Sequence, residues 1–342
     1  MGGDPGQGLI LAGKSAGLLE KRPGKDPSCT MEPAQIPTMY FLGVSTAGSS
    51  MMKIFPAWAR ELELGKARLV GLDFRLNDDP KRYREAVHFI KHDPLSLGAL
   101  VTSHKLNLVE ASRDLFDELD VFATLMSEVS CIAKDGPRLT GTAIDPITSG
   151  IALDSFLPAD HWERSGSEVL LLGAGGAAVA LTWYLMHEAR GCNHPQHIHV
   201  TDIDAGRLDH MRRIHQAFPR LVPVSYHLVK PGETADERLA ALPAYSLVVN
   251  ATGMGKDRPG SPISNQARWP DFAYAWELNY RGERPFLHQA TAQQEARSLV
   301  VRDGWLYFIH GWARVIAEVF HLPLPHDGDR FERLCEVALQ HR

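Results

Sequence analysis

Several patterns that carry chemistry are scarce in this 342-residue sequence. Its four cysteines (Cys29, Cys131, Cys192 and Cys335) lie far apart and form no C-x-x-C pair. This spacing indicates reduced thiols rather than a disulfide framework or a zinc site. Histidine is plentiful, with 16 residues, but no H-E-x-x-H or comparable ligand spacing occurs. The sequence therefore predicts no metal site.

Charge and hydropathy argue against two further classes of partner. The formal net charge is −5, whereas nucleic acids and anionic membranes select a basic face. No apolar run approaches the roughly 18 residues that a membrane span requires. Residues 1–30 are rich in Gly, Pro and Lys and lack a signal-peptide core, so we expect 1–33 to be a disordered leader. These features predict a cytoplasmic protein with neither nucleic acid nor membrane as a partner.

The most informative stretch is residues 169–178, with the sequence VLLLGAGGAA. Its apolar start predicts a buried parallel strand, and residues 179–189 continue at helical spacing. Strand, glycine turn and helix make the dinucleotide fingerprint G-x-G-x-x-G/A, with Ala178 in the last place. In this pattern glycine permits a tight turn and close approach of a pyrophosphate, and the helix N-terminus offers free N–H groups. The cofactor-binding residues predicted in the turn are Gly173, Ala174, Gly175, Gly176 and Ala177.

Strand and helix signals alternate along the rest of the chain. Strands are predicted at 38–44, 67–74 and 97–102, and Asp79 caps a helix over 80–92. A further helix is predicted to run from residue 103 through Leu119. After the fingerprint, strands are predicted at 197–202, 221–228, 244–251, 274–278 and 299–302. The alternation indicates an α/β fold with mostly parallel sheets, and about 150 residues per domain favours two domains.

An acidic pair follows the second strand of the fingerprint region. Asp202 ends that strand and Asp204 comes next but one, near the roughly 20-residue offset of a ribose-binding acid. A carboxylate there accepts hydrogen bonds from the ribose 2′-OH and repels the 2′-phosphate of NADP. The sequence therefore predicts NAD in preference to NADP. Arg207 is a candidate phosphate contact, the alternative being a solvated helix residue.

The order of short motifs resembles the shikimate and quinate dehydrogenase family. Its motifs have counterparts at Ser49, at 101–105, at 128–131 (EVSC), at 144–145, at 173–177, at 250–254 (NATGM) and at 307–311 (YFIHG). The resemblance covers residues 39–320. It implies two domains separated by a cleft: residues 34–147 with 306–342 hold the substrate, and 148–305 form a Rossmann doubly wound parallel sheet. It also implies reversible hydride transfer between NAD(P) and a hydroxyl of a polyhydroxylated cyclohexene carboxylate.

The resemblance also assigns roles to individual residues. Oxidation of an alcohol needs a group that accepts the hydroxyl proton, and by resemblance this acid/base is Lys105, with Asp145 as its partner. The alternative for Lys105 is a solvated lysine at a helix start. The predicted substrate-binding residues are Ser49, Thr102, Ser130, Tyr280 and His310. The further predicted cofactor-binding residues are Asn250, Thr252, Gly253, Met254 and Gly304. Family members that use NADP tend to have Asn-Arg-Thr where this chain has residues 202–204 (DID).

Three departures from the family pattern share a direction. Met51, Ser130 and Gly311 stand where the family has serine, asparagine and glutamine. Each removes or shortens a group that would hold a hydroxyl or carboxylate, and a missing partner of a buried polar group costs about 1–3 kcal/mol. We therefore expect a substrate that differs from shikimate. Three polar residues near the motifs are candidates to restore polarity, or else structural polar residues: His104, Glu128 and His310.

The leading hypothesis is an NAD-dependent oxidoreductase that acts on a hydroxyl of a shikimate-like hydroxylated carboxylic acid. One alternative is a catalytically silent sensor that binds cofactor or ligand on the same fold. Another is a dehydrogenase for an unrelated substrate, such as an amino acid. The expected partner is a small hydroxy acid, and a homodimer is left open.

Overall fold

Two six-stranded sheets organise the part of the chain that the structure describes. The structure is a computed structural model, and the residues it describes are Met1, 31–218, 221–256 and 258–342. The leader predicted over residues 1–33 lies outside these residues, apart from Met1 and 31–33. The α/β class predicted from the alternating strand and helix signals is confirmed.

The first sheet is mixed and has the strand order β2-β1-β3-β5-β6-β4. Strands β1, β2 and β3 pair in parallel, whereas β5 is antiparallel to both β3 and β6. Residues 136–137 form the hairpin turn between β5 and β6. The strands are β1 (Thr38–Gly43), β2 (Arg68–Asp73), β3 (Ser96–Val101), β4 (Glu118–Leu119), β5 (Cys131–Asp135) and β6 (Arg138–Thr142).

The second sheet is parallel throughout and has the order β12-β11-β10-β7-β8-β9. This is the doubly wound arrangement, in which the first strand of the unit lies in the middle and the order reverses beside it. Ligands bind such sheets outside the carboxyl ends of the strands at this reversal. The strands are β7 (Val169–Leu172), β8 (Ile198–Asp202), β9 (Val224–Leu228), β10 (Leu247–Asn250), β11 (Tyr274–Glu277) and β12 (Val300–Arg302).

Helices connect the strands and cover the sheets. In α2, the Asp79 carboxylate accepts a hydrogen bond from the Lys81 N–H at 2.9 Å and Pro80 is the first helical residue, as the sequence predicts. The helices are α1 (Met51–Glu61), α2 (Pro80–His92), α3 (Lys105–Ser112), α4 (Val121–Met126), α5 (Asp145–Asp154), α6 (His161–Ser165), α7 (Gly176–Met186), α8 (Ala205–His215), α9 (Asp236–Ala240), α10 (Pro285–Thr291), α11 (Gln294–Arg297), α12 (Trp305–Val319) and α13 (Gly328–Leu339).

One helix is much shorter than the sequence predicts. Helix α3 ends at Ser112, and residues 118–119 form β4 instead of continuing the helix to Leu119. The Asp117 carboxylate accepts hydrogen bonds from the Leu139 N–H at 2.7 Å and from the Lys91 ammonium group at 2.9 Å. These contacts fix the chain beside β6, so tertiary pairing overrides local helix propensity.

The C-terminal helices pack on the first sheet. Phe41 of β1 meets Trp312 of α12 edge to face, with ring centroids 5.0 Å apart. Trp58 of α1 is fully buried, and its indole N–H donates to the Leu334 carbonyl of α13 at 3.0 Å. Burial of such large aromatic side chains dominates core energetics. The chain therefore returns to the first sheet after building the second.

None of the helices in the described residues has the length and apolar character that a membrane crossing requires.

Candidate functional site

The glycine turn after β7 has the backbone geometry that its sequence predicts. Gly173 adopts φ +105°, and a Cβ added there would lie 2.9 Å from the backbone of Ala251. Both its conformation and its close packing therefore favour glycine. Gly175 is the N-cap of α7, and a Cβ added to it meets nothing within 4 Å. The space beside Gly175 and the N–H groups at the start of α7 fit the pyrophosphate of a dinucleotide.

Asp202 stabilises this turn through hydrogen bonds to the backbone. One carboxylate oxygen accepts a hydrogen bond from the Ala174 N–H at 2.8 Å, and the other accepts from the Asp204 N–H at 2.9 Å. The side chain is buried and does not line the cavity beside the turn, whereas Asp204 and Arg207 do line it. Asp202 was predicted to bind the ribose, but both of its carboxylate oxygens already accept hydrogen bonds from the backbone. Exposed Ile203 lies between the two acids.

Lys105 and Asp145 come together at the starts of two helices. Lys105 is the first residue of α3 and Asp145 the first residue of α5, and the lysine ammonium group donates a hydrogen bond to the Asp145 carboxylate. The Tyr307 hydroxyl of α12 donates to the other oxygen of Asp145 at 3.2 Å. Burial lowers the pKa of Lys105, and the neighbouring Glu128 carboxylate acts in the opposite direction. A lysine with a lowered pKa can exchange protons near neutral pH.

Glu128 is the third charged group of this cluster. It is 2% exposed, and its Oε1 has no hydrogen-bond partner among the described residues. Its Oε2 packs against the first residue of α7, since a Cβ added to Gly176 would lie 2.5 Å from it. Burial raises the pKa of Glu128, which the charge of Lys105 opposes. Burial, and then the Glu128 charge, also raise the pKa of Tyr307.

A cavity of about 700 Å³ joins the lysine cluster to the glycine turn. Its walls include Lys105, Glu128 and Asp145 together with residues 174–177. The cavity thus joins polar side chains carried on the first sheet to the carboxyl-end turn of the second. Its volume is that of a typical small-molecule or cofactor site.

The hydroxyl groups predicted to hold substrate are mostly engaged with the protein. Thr102 and Ser130 line the cavity. The Thr102 hydroxyl donates to the Leu42 carbonyl at 3.1 Å, and the Ser130 hydroxyl accepts from the Ile144 N–H at 2.8 Å. Both hydroxyls that line the cavity are therefore already hydrogen-bonded to backbone atoms, and their role in substrate binding stays a prediction.

The other predicted substrate residues do not reach the cavity walls in the described residues. Ser49 and Tyr280 share a hydrogen bond of 3.2 Å, and neither of them lines the cavity. The His310 ring stacks on Phe331 of α13 with centroids 4.4 Å apart, because its position on α12 faces that helix. Gly311 and its neighbour Trp312 line the cavity instead. His310 is thus a buried core residue, and burial lowers its pKa to about 4.

His104 is likewise directed into the protein. Its Nδ1 lies 3.0 Å from the Tyr83 hydroxyl, and its ring meets Phe74 at its edge. Burial lowers its pKa. Of the three residues expected to restore polarity, Glu128 is therefore the one that lines the cavity.

The turn after β10 depends on a buried carboxylate that the sequence analysis missed. Glu277 of β11 is fully buried and accepts hydrogen bonds from the Asn250 and Asn279 side-chain amides, each at 2.7 Å. Burial raises its pKa to about 7. Asn250 in turn accepts from the Thr252 hydroxyl at 2.7 Å. A glutamate inside the apolar strand segment YAWEL was the signal that could have revealed it.

The predicted cofactor residues of this region divide into two groups. Asn250, Thr252 and Gly253 line the cavity. Met254 and Gly304 do not line the cavity. A Cβ added to Gly304 would lie 2.0 Å from the Leu278 carbonyl oxygen. Gly304 is therefore required by close packing where α12 begins beside the end of β11.

Fold and site together define a two-domain α/β protein with a dinucleotide-type glycine turn and a lysine–carboxylate pair on one cavity. No family model matches the sequence. The chain is 30% identical over 183 residues to a shikimate dehydrogenase (NADP(+)) of Streptococcus gordonii, covering 52% of this chain and 58% of that relative. It is 29% identical over 244 residues to a shikimate dehydrogenase (NADP(+)) of Methylobacterium radiotolerans, covering 69% and 76%.

Among solved structures, the shikimate 5-dehydrogenase of Thermus thermophilus in complex with NADP(H) and shikimate has the same fold. The TM-score is 0.64 at 21% identity, over 90% of this chain and 100% of that one. The curated relatives are thus similar to part of this chain, and the solved structure shares its fold.

Proposed function

We propose that this chain is a shikimate dehydrogenase-like oxidoreductase, which catalyses reversible hydride transfer at a hydroxyl of a shikimate-like hydroxylated carboxylic acid. The observation that carries the proposal is the Lys105–Asp145–Tyr307 hydrogen-bonded chain on the cavity that the glycine turn also lines. The named relatives support the same class of reaction.

In this proposal Lys105 is the acid/base. In the oxidative direction its neutral amine accepts the proton of the substrate hydroxyl, and in reverse the ammonium group returns it. Asp145 orients the amine, and Tyr307 fixes Asp145 through its hydroxyl. Burial favours the neutral amine, as the lowered pKa of Lys105 indicates. A nicotinamide dinucleotide, when bound, supplies the hydride acceptor.

The glycine turn and the residues after β10 are proposed to hold that dinucleotide. Gly175 and Gly176 expose the start of α7, where N–H groups and the helix dipole attract phosphate. Asn250, Thr252 and Gly253 line the same cavity as this turn and the lysine cluster. Glu277 acts through Asn250, because it fixes the orientation of that amide.

We propose NAD in preference to NADP. Asp204 lines the cavity and caps α8 through the Gly206 N–H at 2.8 Å, so its charge lies where a 2′-phosphate would approach. Ile203 supplies no positive charge beside it. Arg207 lines the same cavity and favours the opposite choice, as do the relatives named for NADP(+). Measuring the affinity of both nucleotides decides between these two influences.

The substrate is proposed to differ from shikimate. Met51 is fully buried and cannot donate a hydrogen bond, and Gly311 offers no side chain to the cavity. Ser49 is retained from the family pattern, and its hydroxyl is hydrogen-bonded to that of Tyr280. Glu128 adds a carboxyl group to the cavity wall instead.

A second candidate function is a sensor that binds cofactor or ligand without turnover. The engagement of the Thr102 and Ser130 hydroxyls with backbone atoms favours it, whereas the retained Lys105–Asp145 pair favours the enzyme. The deciding experiment follows the absorbance at 340 nm with NAD⁺ or NADP⁺ and a panel of shikimate, quinate and related cyclic hydroxy acids. Turnover that is lost in Lys105→Ala supports the enzyme, and nucleotide binding without any turnover supports the sensor.

We also propose domain boundaries at 34–147 with 306–342 and at 148–305. The packing of α12 and α13 on β1 and α1 supports the return of the C-terminal segment. Helix α5 crosses the first boundary, and it packs closely on α7, since a Cβ added to Gly150 would lie 2.2 Å from the Tyr184 ring.

A further inference from the structure

Glu128 has a place in the site that the proposed reaction does not use. Its carboxyl lies between the lysine cluster and the start of α7, with Oε2 against Gly176 and Oε1 without a partner among the described residues. It lines the cavity, yet the residue is 2% exposed. A buried polar atom without a partner is costly, which indicates that a ligand or a proton completes the site.

The start of α7 is where a dinucleotide would place its phosphates. Its N–H groups and helix dipole attract an anion, and the Glu128 carboxyl already lies at this position. An ionised Glu128 would repel the phosphates at short range, where little water screens the charges. A protonated Glu128 would instead be a hydrogen-bond donor.

The single positive charge of Lys105 cannot balance the negative charges of both Glu128 and Asp145. The ammonium group of Lys105 is hydrogen-bonded to Asp145, and Tyr307 donates to the same aspartate. The α7 residues that face Glu128 are Gly176 and its neighbours in the glycine turn, which have no titratable side chain. With both carboxylates ionised and Lys105 protonated, the cluster carries a net negative charge before any phosphate arrives.

We propose that Glu128 is a nucleotide-contacting residue that holds a proton whenever a dinucleotide is bound, and that its carboxyl then donates a hydrogen bond towards the phosphates. The inference rests on the proposed function, because it requires that a dinucleotide binds at the glycine turn. Nucleotide binding is then coupled to the uptake of one proton. The affinity falls as the pH rises through the pKa of Glu128 in the free protein, a pKa that burial raises above the usual range of a carboxyl.

The test is isothermal titration of NADH between pH 6 and pH 9, in pairs of buffers with different ionisation enthalpies, so that protons taken up per NADH are counted directly. In the wild-type protein, uptake rises towards one proton, and the affinity falls about tenfold per pH unit above the pKa of free Glu128. Glu128→Gln keeps the shape and a donor but cannot ionise. We expect it to bind NADH without proton uptake, with an affinity that does not fall with pH.

Two further variants separate the parts of the inference. Glu128→Ala removes charge and donor together, and we expect pH-independent binding that is weaker than that of Glu128→Gln. Equal affinity of these two variants would overturn the hydrogen bond. Lys105→Met removes the other group of the cluster that could take up the proton. We expect this variant still to take up a proton when NADH binds. Uptake that persists in Glu128→Gln and vanishes in Lys105→Met would assign the proton to Lys105 and overturn the role of Glu128.

The outcomes also separate this inference from the proposed function. Wild-type protein that binds neither NADH nor NADPH would overturn both. Binding of NADH with no proton uptake at any pH, and with equal affinity in Glu128→Gln, would overturn the role of Glu128 and leave the nucleotide site intact.

Discussion

On the second sheet the site consists largely of backbone, whereas on the first sheet it consists of side chains. The glycine turn after β7 offers N–H groups, and the φ of Gly173 and its close approach to Ala251 fix the path of the chain. Around β3, β5 and α5 the cavity wall is instead built by Lys105, Glu128 and Asp145. Most substitutions leave a backbone site intact unless they replace its glycines. A site built of side chains can be altered by each single substitution.

This difference explains where the chain departs from the family pattern. The fingerprint is retained around Gly173, while Met51, Ser130 and Gly311 differ on the substrate side. The first set serves any dinucleotide, because phosphate binding by a helix N-terminus is independent of the substrate. In the proposed function the second set selects the substrate, since a site with a missing partner rejects the group that needs it.

The largest expected effect concerns the substrate half. Lys105→Ala removes the proposed acid/base, and kcat should fall about 10³-fold, within the range that general acid–base catalysis contributes. Nucleotide affinity should stay within a few-fold of wild type, because the glycine turn is untouched. Steady-state turnover and NADH titration on the same preparation check both points. A variant that keeps its turnover would exclude Lys105 as the acid/base.

The opposite result is expected for the nucleotide half. Gly173→Ala forces a Cβ into a backbone with φ +105° and to within 2.9 Å of Ala251. Such strain costs roughly 1–3 kcal/mol, and displacement of the turn should weaken NAD binding tenfold or more. Thermal unfolding and NADH titration measure the two effects. Gly191→Ala is the matched control, since Gly191 also has positive φ (+62°) but a Cβ there meets nothing within 4 Å; unchanged NADH affinity in Gly173→Ala would contradict the assigned turn.

A smaller effect should separate the two roles inside the lysine cluster. Tyr307→Phe removes the 3.2 Å hydrogen bond to Asp145, so the carboxylate holds the Lys105 ammonium group more strongly and the pKa of the lysine rises. Because oxidation needs the neutral amine, the rate rises with pH and levels off above that pKa. The variant should therefore need a higher pH to reach its plateau, with kcat down about tenfold at pH 7.

The change on the other side of Lys105 should leave the kcat profile where it is. In the free protein the Glu128 charge raises the pKa of Lys105, but a Glu128 that holds a proton in the dinucleotide complex carries no charge there. Glu128→Gln should therefore show its rise of kcat at the same pH as the wild type, whereas that of Tyr307→Phe moves to higher pH. A rise that moves to lower pH in Glu128→Gln would indicate that Glu128 is ionised in the complex.

Cofactor choice is expected to respond more weakly. Asp204→Asn removes the charge that would repel a 2′-phosphate, so the ratio of NAD to NADP affinity should fall a few-fold, about 1 kcal/mol. Asp202→Asn is the informative comparison. Its carboxylate holds the Ala174 N–H at 2.8 Å, so its loss should weaken both nucleotides alike and leave their ratio unchanged. A ratio that responds to Asp202 and not to Asp204 would restore the ribose-binding role to Asp202.

The same contrast between halves decides what the sequence could predict. The mostly parallel α/β fold and the glycine turn followed from local signals, because apolar strands and glycine positions determine their own backbone. The contact of Lys105 with Asp145 was expected from motif order. The engagement of the Asp202 carboxylate with the Ala174 N–H was not, since both of its partners are backbone groups that no motif records. The motif at 307–311 likewise does not tell which of its neighbouring residues faces the cavity: Gly311 does, whereas His310 does not.

His310 is the residue on which that ambiguity can be tested. The sequence assigns it to the substrate, but the structure stacks it on Phe331 with ring planes 11° apart. Burial lowers its pKa to about 4, so the unfolded chain binds a proton more readily than the folded one. Stability contributed by neutral His310 is therefore present above pH 6.5 and lost as the pH falls from there towards 4. His310→Phe keeps an aromatic ring against Phe331 and cannot ionise. Between pH 7 and pH 5 the variant should lose less of its free energy of unfolding than the wild type, and its KM should be unchanged. If His310 bound the substrate instead, the variant would have a raised KM and would lose as much stability as the wild type.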